Sequence, residues 1–179
     1  MTKVSTVDGP DGGRRIVAFY EGSGRDDRGR SLDDVLGFDD AALEYTHDFI
    51  QWLFPLPEPS RYNPHAPLLT AEDIAAFRAD EQLRANLRKS FERIVTFLGL
   101  SLTADGEVVE GPNFAARVPD VWAFPNHNWL RITRILRSLT LLGLPDEARA
   151  FYRRLEAFHR GRRFPIPAET FRYWTEAVQ

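Results

Sequence analysis

The residues predict an all-α fold, a compact bundle of about six or seven helices with a small β-hairpin insertion, and three observations carry that expectation. Apolar residues recur at helical spacing in Leu83, Leu87, Phe91, Ile94, Val95 and Leu98, again in Ile132, Ile135, Leu136, Leu139 and Leu142, and a third time in Ala148, Phe151, Leu155 and Phe158. Helix starters precede these stripes, and Gly99, Gly143 and Gly161 follow them. Strand-like character with a turn signal is confined to Leu100–Glu110, where Asp105-Gly106 reads as the turn of a hairpin.

In chain order, residues 1–30 hold six glycines and read as a mobile or docking N-terminal arm, with Asp8–Arg15 its mobile part. The apolar island Ile16–Tyr20 reads as a short strand or a docking segment. Residues 31–179 read as a single helical domain. Ser31 caps a short helix, Leu32–Leu36, which has Asp33 and Asp34 in its first turn where the helix dipole favours acids. Asp39 caps a longer helix that Pro55 stops near Phe54. Pro55, Pro57, Pro59, Pro64 and Pro67 then impose an extended, stiff loop.

Thr70, with Asp73 in a capping-box position, starts the next helix, and Asp80 starts another or continues it with a kink. Asn113–Trp122 reads as a short helix. Asn126–Leu142 is the second strong element; its core stripe lies on one face and Arg131, Arg134 and Ser138 on another. Pro145 opens a helix to about Arg160, and Pro167 opens a last one carrying Phe171, Trp174 and Val178. The segments 39–54 and 126–142 are expected at the centre of the bundle.

Composition narrows the chemistry. The chain has no cysteine, which removes disulfides, thiolate metal sites and cysteine nucleophiles. No apolar run approaches the ~20 residues that span a bilayer, and the polar N-terminus lacks the apolar core of a secretory signal, so the expectation is a cytoplasmic protein with no transmembrane segment. The net charge is -3, yet ten arginines face five acids from Leu130 to Gln179, so the last third is basic and the remainder acidic. An internal partner for the acidic part is the reading preferred over a basic binding face.

Three constellations carry chemistry. His47, Gln51, His65, His127, Asn128, Arg131 and Arg134 converge if the two strong helices pack together. With Trp52 and Asn63 beside them, they form the candidate ligand-binding set, suited to a peptide carboxylate or a small anion. The reading preferred over this has the arginines pairing with Glu44, Asp48 or loop carbonyls to lock the proline-rich loop; in either reading Asn63 and His65 fix that loop. Second, Glu44/His47 and Glu156/His159 are two Glu-x-x-His pairs, the spacing used by di-metal bundles. No further carboxylate pair is picked out by spacing, so neither a metal ligand nor a catalytic residue is assigned, and no cofactor is expected. Third, Arg149, Arg153, Arg154, Arg160, Arg162 and Arg163 with interleaved aromatics could contact nucleic acid, but the negative overall charge makes nucleic acid an unexpected partner. Phosphate loops, nucleophile elbows and zinc-protease motifs are absent from the sequence.

Leu43–Pro55, the run Leu-Glu-Tyr-Thr-His-Asp-Phe-Ile-Gln-Trp-Leu-Phe-Pro, continues through Asn63-Pro64-His65-Ala66-Pro67-Leu68-Leu69-Thr70 and returns at Asn128, Leu130 and Arg131-Ile132-Thr133-Arg134-Ile135-Leu136. This pattern, with Ser31-Leu32 and the Leu83–Leu98 helix, resembles the N-terminal conserved domain of opioid growth factor receptor proteins over roughly Arg28 to Ala150. The resemblance implies a helical domain and, from the animal members, receptor activity toward an enkephalin peptide. This chain lacks the long repeat-bearing tail of those members and reads as the domain alone. A binding or interaction domain for a peptide or small anionic ligand is therefore the expected function, with the metal-dependent enzyme and the nucleic-acid binder as alternatives.

Overall fold

The computed structural model describes residues 14–179. The expected mobile segment Asp8–Arg15 lies outside the described residues up to position 13. Among the described residues there are ten α-helices: α1 (Arg15–Glu21), α2 (Leu32–Leu36), α3 (Asp40–Tyr45), α4 (Ile50–Leu53), α5 (Ala71–Ala79), α6 (Glu81–Phe97), α7 (Phe114–Arg117), α8 (His127–Leu141), α9 (Pro145–Arg160) and α10 (Ala168–Ala177). A two-stranded antiparallel sheet, β1 (Leu100–Leu102) and β2 (Val108–Glu110), pairs Leu100 with Glu110 and Leu102 with Val108. A π-helical turn, Val118–Trp122, carries Pro119 and follows α7 directly.

The all-α class with one hairpin is as expected, and the extra helices are short. One arises at Ile16–Tyr20, which is helical rather than a strand. β-branched residues favoured the strand reading, but Ile16, Val17, Phe19 and Tyr20 are all buried, and their i, i+1, i+3, i+4 spacing is a helical stripe. A second arises because the segment expected as one helix from Asp39 to Phe54 is two, α3 and α4, separated by Thr46–Phe49.

Local chemistry accounts for most boundaries. Ser31 with Asp34, and Thr70 with Asp73, form reciprocal capping boxes, satisfying donors that each helix start leaves open. Asp80 is extended and accepts from the Gln82 and Leu83 amides, so α5 and α6 are two helices. Gly99 ends α6 at φ 86°, and a Cβ there would lie 3.0 Å from Phe114 Cα, so glycine alone fits.

α8 is the central helix. It packs on α9 and α10, while α1 and α5 pack on α6. The hairpin lies between α6 and α9. Arg153 pairs with Glu107 at 2.7 Å, Arg163 pairs with Glu110, and Arg154 donates to the Val108 carbonyl at 2.9 Å. Arg149 and Arg160 pair along α9 with Asp146 and Glu156. Most of the basic C-terminal side chains are thus engaged, three of them with the hairpin, and a two-stranded ribbon that is marginal alone is held by α9. Trp122, Phe158 and Phe164 form an aromatic cluster beside it, with centroids 5.1–5.7 Å apart.

Candidate functional site

The site begins with a broken helix. A continuous helix from Asp40 to Phe54 would give the Leu43 carbonyl to the His47 amide and the Thr46 carbonyl to the Ile50 amide. Thr46 is instead extended, and both carbonyls accept from Arg131 of α8, through Nη1 and Nη2, each at 2.8 Å. The planar fork of arginine suits two diverging carbonyls. Asn128, fully buried one turn earlier on α8, accepts from Arg131 Nη1 at 3.2 Å, and the Arg131 guanidinium also lies over the Phe49 ring. Arg134, the next residue on that face, donates to the Phe54 carbonyl at the end of α4, at 3.0 Å.

The break exposes His47 and turns Gln51 inward. The proline-rich loop folds back over α4, closed at its base by the Leu69 amide donating to the Leu56 carbonyl. Asn63 Nδ2 donates to the Asp48 carbonyl at 3.3 Å, and Asp48 itself takes Arg28 and Arg30 at 2.9 and 2.8 Å. Between this loop and α8 lies a cleft of about 710 Å³ lined by His47, Ile50, Gln51, Leu56, Pro59, Ser60, Arg61, Tyr62, His127, Leu130, Arg131, Thr133, Arg134 and Tyr173. Leu130, Tyr62 and Tyr173 are exposed apolar surface in its wall.

Of the residues expected to converge, His47, Gln51, His127, Arg131 and Arg134 do line one cleft. Asn128 supports it from beneath. The expectation fails for three others. Trp52, the residue after Gln51, is turned into the core and fully buried, its ring 5.3 Å from Phe19. Asn63 fixes the loop and does not face the cleft. His65 is exposed and lies off the cleft, because the turn closed by Ala66 N–H on the Asn63 carbonyl carries it away. Reasoning from the sequence missed Arg61, Tyr62 and Tyr173 in the wall. The first two lie in the proline-rich loop, where a charged and an aromatic side chain between prolines were the available signal.

Of the partners that the preferred reading named for Arg131 and Arg134, backbone carbonyls are the ones found, at Leu43, Thr46 and Phe54, and Glu44 is not. Arg117 Nη2 and Asn128 Nδ2 donate to its carboxylate at 3.2 Å and 3.3 Å. His127 Nε2 lies 3.1 Å from Glu44 Oε1 but out of line for a hydrogen bond. Nor do Glu44 and His47 share a helix face, because α3 ends at Tyr45. At the other Glu-x-x-His pair, Glu156 takes Arg160 and the His159 ring stacks on Phe171 at 4.1 Å. Among the described residues no group of three or more His, Asp or Glu side chains could hold a metal ion.

The cleft is electropositive. It is lined by three arginines and two histidines and by no acid. Among the described residues no carboxylate lies within ion-pair distance of Arg61, Arg131 or Arg134. Burial pulls Arg131 and Arg134 each down to about 10, only partly offset by Glu44 and Glu58 respectively. Burial, then the Arg131 charge, also lowers the His127 pKa; Glu44 opposes this and His47 adds to it. The His47 and His127 rings meet edge to face at 5.1 Å. Two largely buried guanidiniums, Arg131 and Arg134, with no carboxylate among the described residues in ion-pair contact and beside exposed aromatic surface, suit an anionic group on a partly apolar ligand.

A family model described as the opioid growth factor receptor (OGFr) conserved region matches residues 33–158. The chain is similar to the opioid growth factor receptor of Mus musculus, with 42% identity over 104 residues, covering 57% of this chain and 16% of the relative. Similarity to the opioid growth factor receptor of Homo sapiens is 40% over 105 residues, or 57% and 15% of the two chains. To opioid growth factor receptor-like protein 1 of Xenopus tropicalis it is 37% over 102 residues, or 56% and 20%. The match thus spans a fifth or less of the length of these relatives. No solved structure matches the chain. Among the described residues no helix is long and apolar enough to cross a membrane.

Proposed function

The chain belongs to the opioid growth factor receptor conserved-region family, and from that premise we propose that it is a peptide-binding domain. The cleft between the proline-rich loop and α8 receives the anionic end of a peptide. The observation that carries this reading is the charge of the wall, three arginines with no acid among the lining residues. Arg134 and Arg61 are the direct contacts. The Arg131 guanidinium is already occupied by the protein and supplies charge from beneath. Tyr62, Leu130 and Tyr173 receive an apolar side chain. Relatives are named opioid growth factor receptor, and the enkephalin peptide that the family resemblance implies is the first ligand to try.

Calorimetric titration of an enkephalin peptide with a free C-terminus, against the same peptide as its C-terminal amide, tests the reading. The acid is expected to bind, and the amide about tenfold or more weakly, since a charge-assisted arginine–carboxylate contact is worth ~1.5–3 kcal/mol. Arg134→Gln is expected to weaken the acid by about the same factor and leave the amide unchanged. Absence of binding by the acid, or equal binding of acid and amide, overturns it.

A further inference from the structure

We infer that Gln51 is the specificity-determining residue of this cleft. Its side-chain carbonyl accepts an N–H of the ligand, so that the site takes the terminal residue of a peptide, an N-acylated amino acid carboxylate, in preference to an anion without that donor. The inference rests on the proposed anion-binding role of the cleft and adds the chemical class of the ligand.

Gln51 is 4% exposed and lines the cleft. Its Nε2 donates to Ser60 Oγ at 3.3 Å, which ties α4 to the loop. Its Oε1 is buried with no partner. A buried acceptor left open carries a desolvation cost, and most native polar groups avoid it. Arg131 and Arg134 make the cleft positive, and a side-chain amide dipole orients its oxygen toward positive charge. Ser60 Oγ also accepts from the Tyr62 amide at 3.2 Å, which places its hydroxyl beside the Gln51 side chain.

The position of Gln51 relative to the arginine selects the ligand class. Arg134 is anchored on the Phe54 carbonyl, which caps the short helix that carries Gln51, and both side chains line the cleft. In an N-acylated amino acid the amide N–H and the carboxylate are separated by a single Cα. One such residue offers a donor to Gln51 and an anion to Arg134 together, with its side chain toward Tyr62 and Leu130. Inorganic phosphate has no apolar part and no N–H beside its anionic oxygens.

Binding of N-acetyl-phenylalanine and of its ester analogue, 2-acetoxy-3-phenylpropionic acid, separates the two layers of the argument, because the pair differs only by N–H replaced with oxygen. The wild-type protein is expected to bind the amide about tenfold more tightly than the ester, as a lost hydrogen bond to a buried acceptor predicts. Gln51→Met, of similar volume and without the acceptor, is expected to bind both equally. Wild-type binding of both probes within twofold overturns the role of Gln51 and leaves the anion site standing. Binding of neither probe overturns the anion site and the inference with it. Discrimination that survives in Gln51→Met removes the assignment to this residue. If that variant fails to fold, the wild-type comparison decides alone.

Discussion

Arg131 donates to the Leu43 and Thr46 carbonyls and to Asn128 Oδ1, and is 7% exposed. Its neighbour Arg134 makes one such bond and is half-buried. The two therefore separate in a mutational test. Arg131→Lys keeps the charge but cannot reach two diverging carbonyls, and the loss of donors to buried acceptors is expected to cost about 2–4 kcal/mol in urea unfolding. Arg134→Gln is expected to change stability by less than ~1 kcal/mol while weakening ligand binding, because one bond at a partly wet helix end contributes little. Equal destabilisation by the two substitutions would remove the distinction. The sequence placed both arginines on one face of α8 and favoured partners within the protein, carbonyls among them, over a ligand. Which carbonyls they take was illegible, because those lie 80 to 88 residues away.

At the scale of elements, the break between α3 and α4 shapes the cleft, and Asp48 sits in it. Burial alone would raise the Asp48 pKa, but hydrogen bonds from Arg30 and Arg28 outweigh it and hold the carboxyl below its usual range. A depressed carboxylate stabilises the fold above its unfolded pKa of about 3.9 and loses that contribution as pH falls through the lower folded value. Asp48→Asn is therefore expected to lower the melting temperature at pH 7 and to have little effect near pH 2. A deficit that persists undiminished at pH 2 would show that the ion pairs are not its source. The break itself was not legible. Asp39 to Phe54 carries a cap, a 3.6-residue apolar period and a terminal proline, all signals of one helix. A guanidinium from α8 overrides them by taking two of the carbonyls that the helix would have used. By contrast α6, α8 and α9 were legible, because their stripes face a core that the same stripes create.

For the whole molecule, the family match over residues 33–158 ends inside the core. α1 lies before it and buries Ile16, Val17, Phe19 and Tyr20. The Tyr20 hydroxyl donates to the Leu53 carbonyl, and its amide oxygen takes Asn86. α10 lies after it. Trp174 is fully buried there, and its Nε1 donates to the Trp129 carbonyl of α8 at 3.2 Å. Each fully buried large apolar side chain is worth ~1.5–3 kcal/mol, so removing both helices exceeds the ~5–15 kcal/mol margin of a typical domain or comes close to it. The fragment 33–158 is expected to lack a cooperative thermal transition that residues 14–179 show. A cooperative transition of the fragment at a similar temperature would mean that α1 and α10 are accessory.

The charge balance belongs to this scale as well. The basic last third and the acidic remainder meet at α9 and the hairpin, where Arg153, Arg154 and Arg163 hold β2 and its turn. Among the described residues, Arg61, Arg131 and Arg134 in the wall of the cleft are among the arginines without a carboxylate partner. The titration of the enkephalin peptide acid against its amide is the most direct measurement of whether that charge has a ligand. Tighter binding of the acid by about tenfold, abolished by Arg134→Gln, is the expected result. Equal affinity for acid and amide, or an acid titration that Arg134→Gln leaves unaltered, would contradict it.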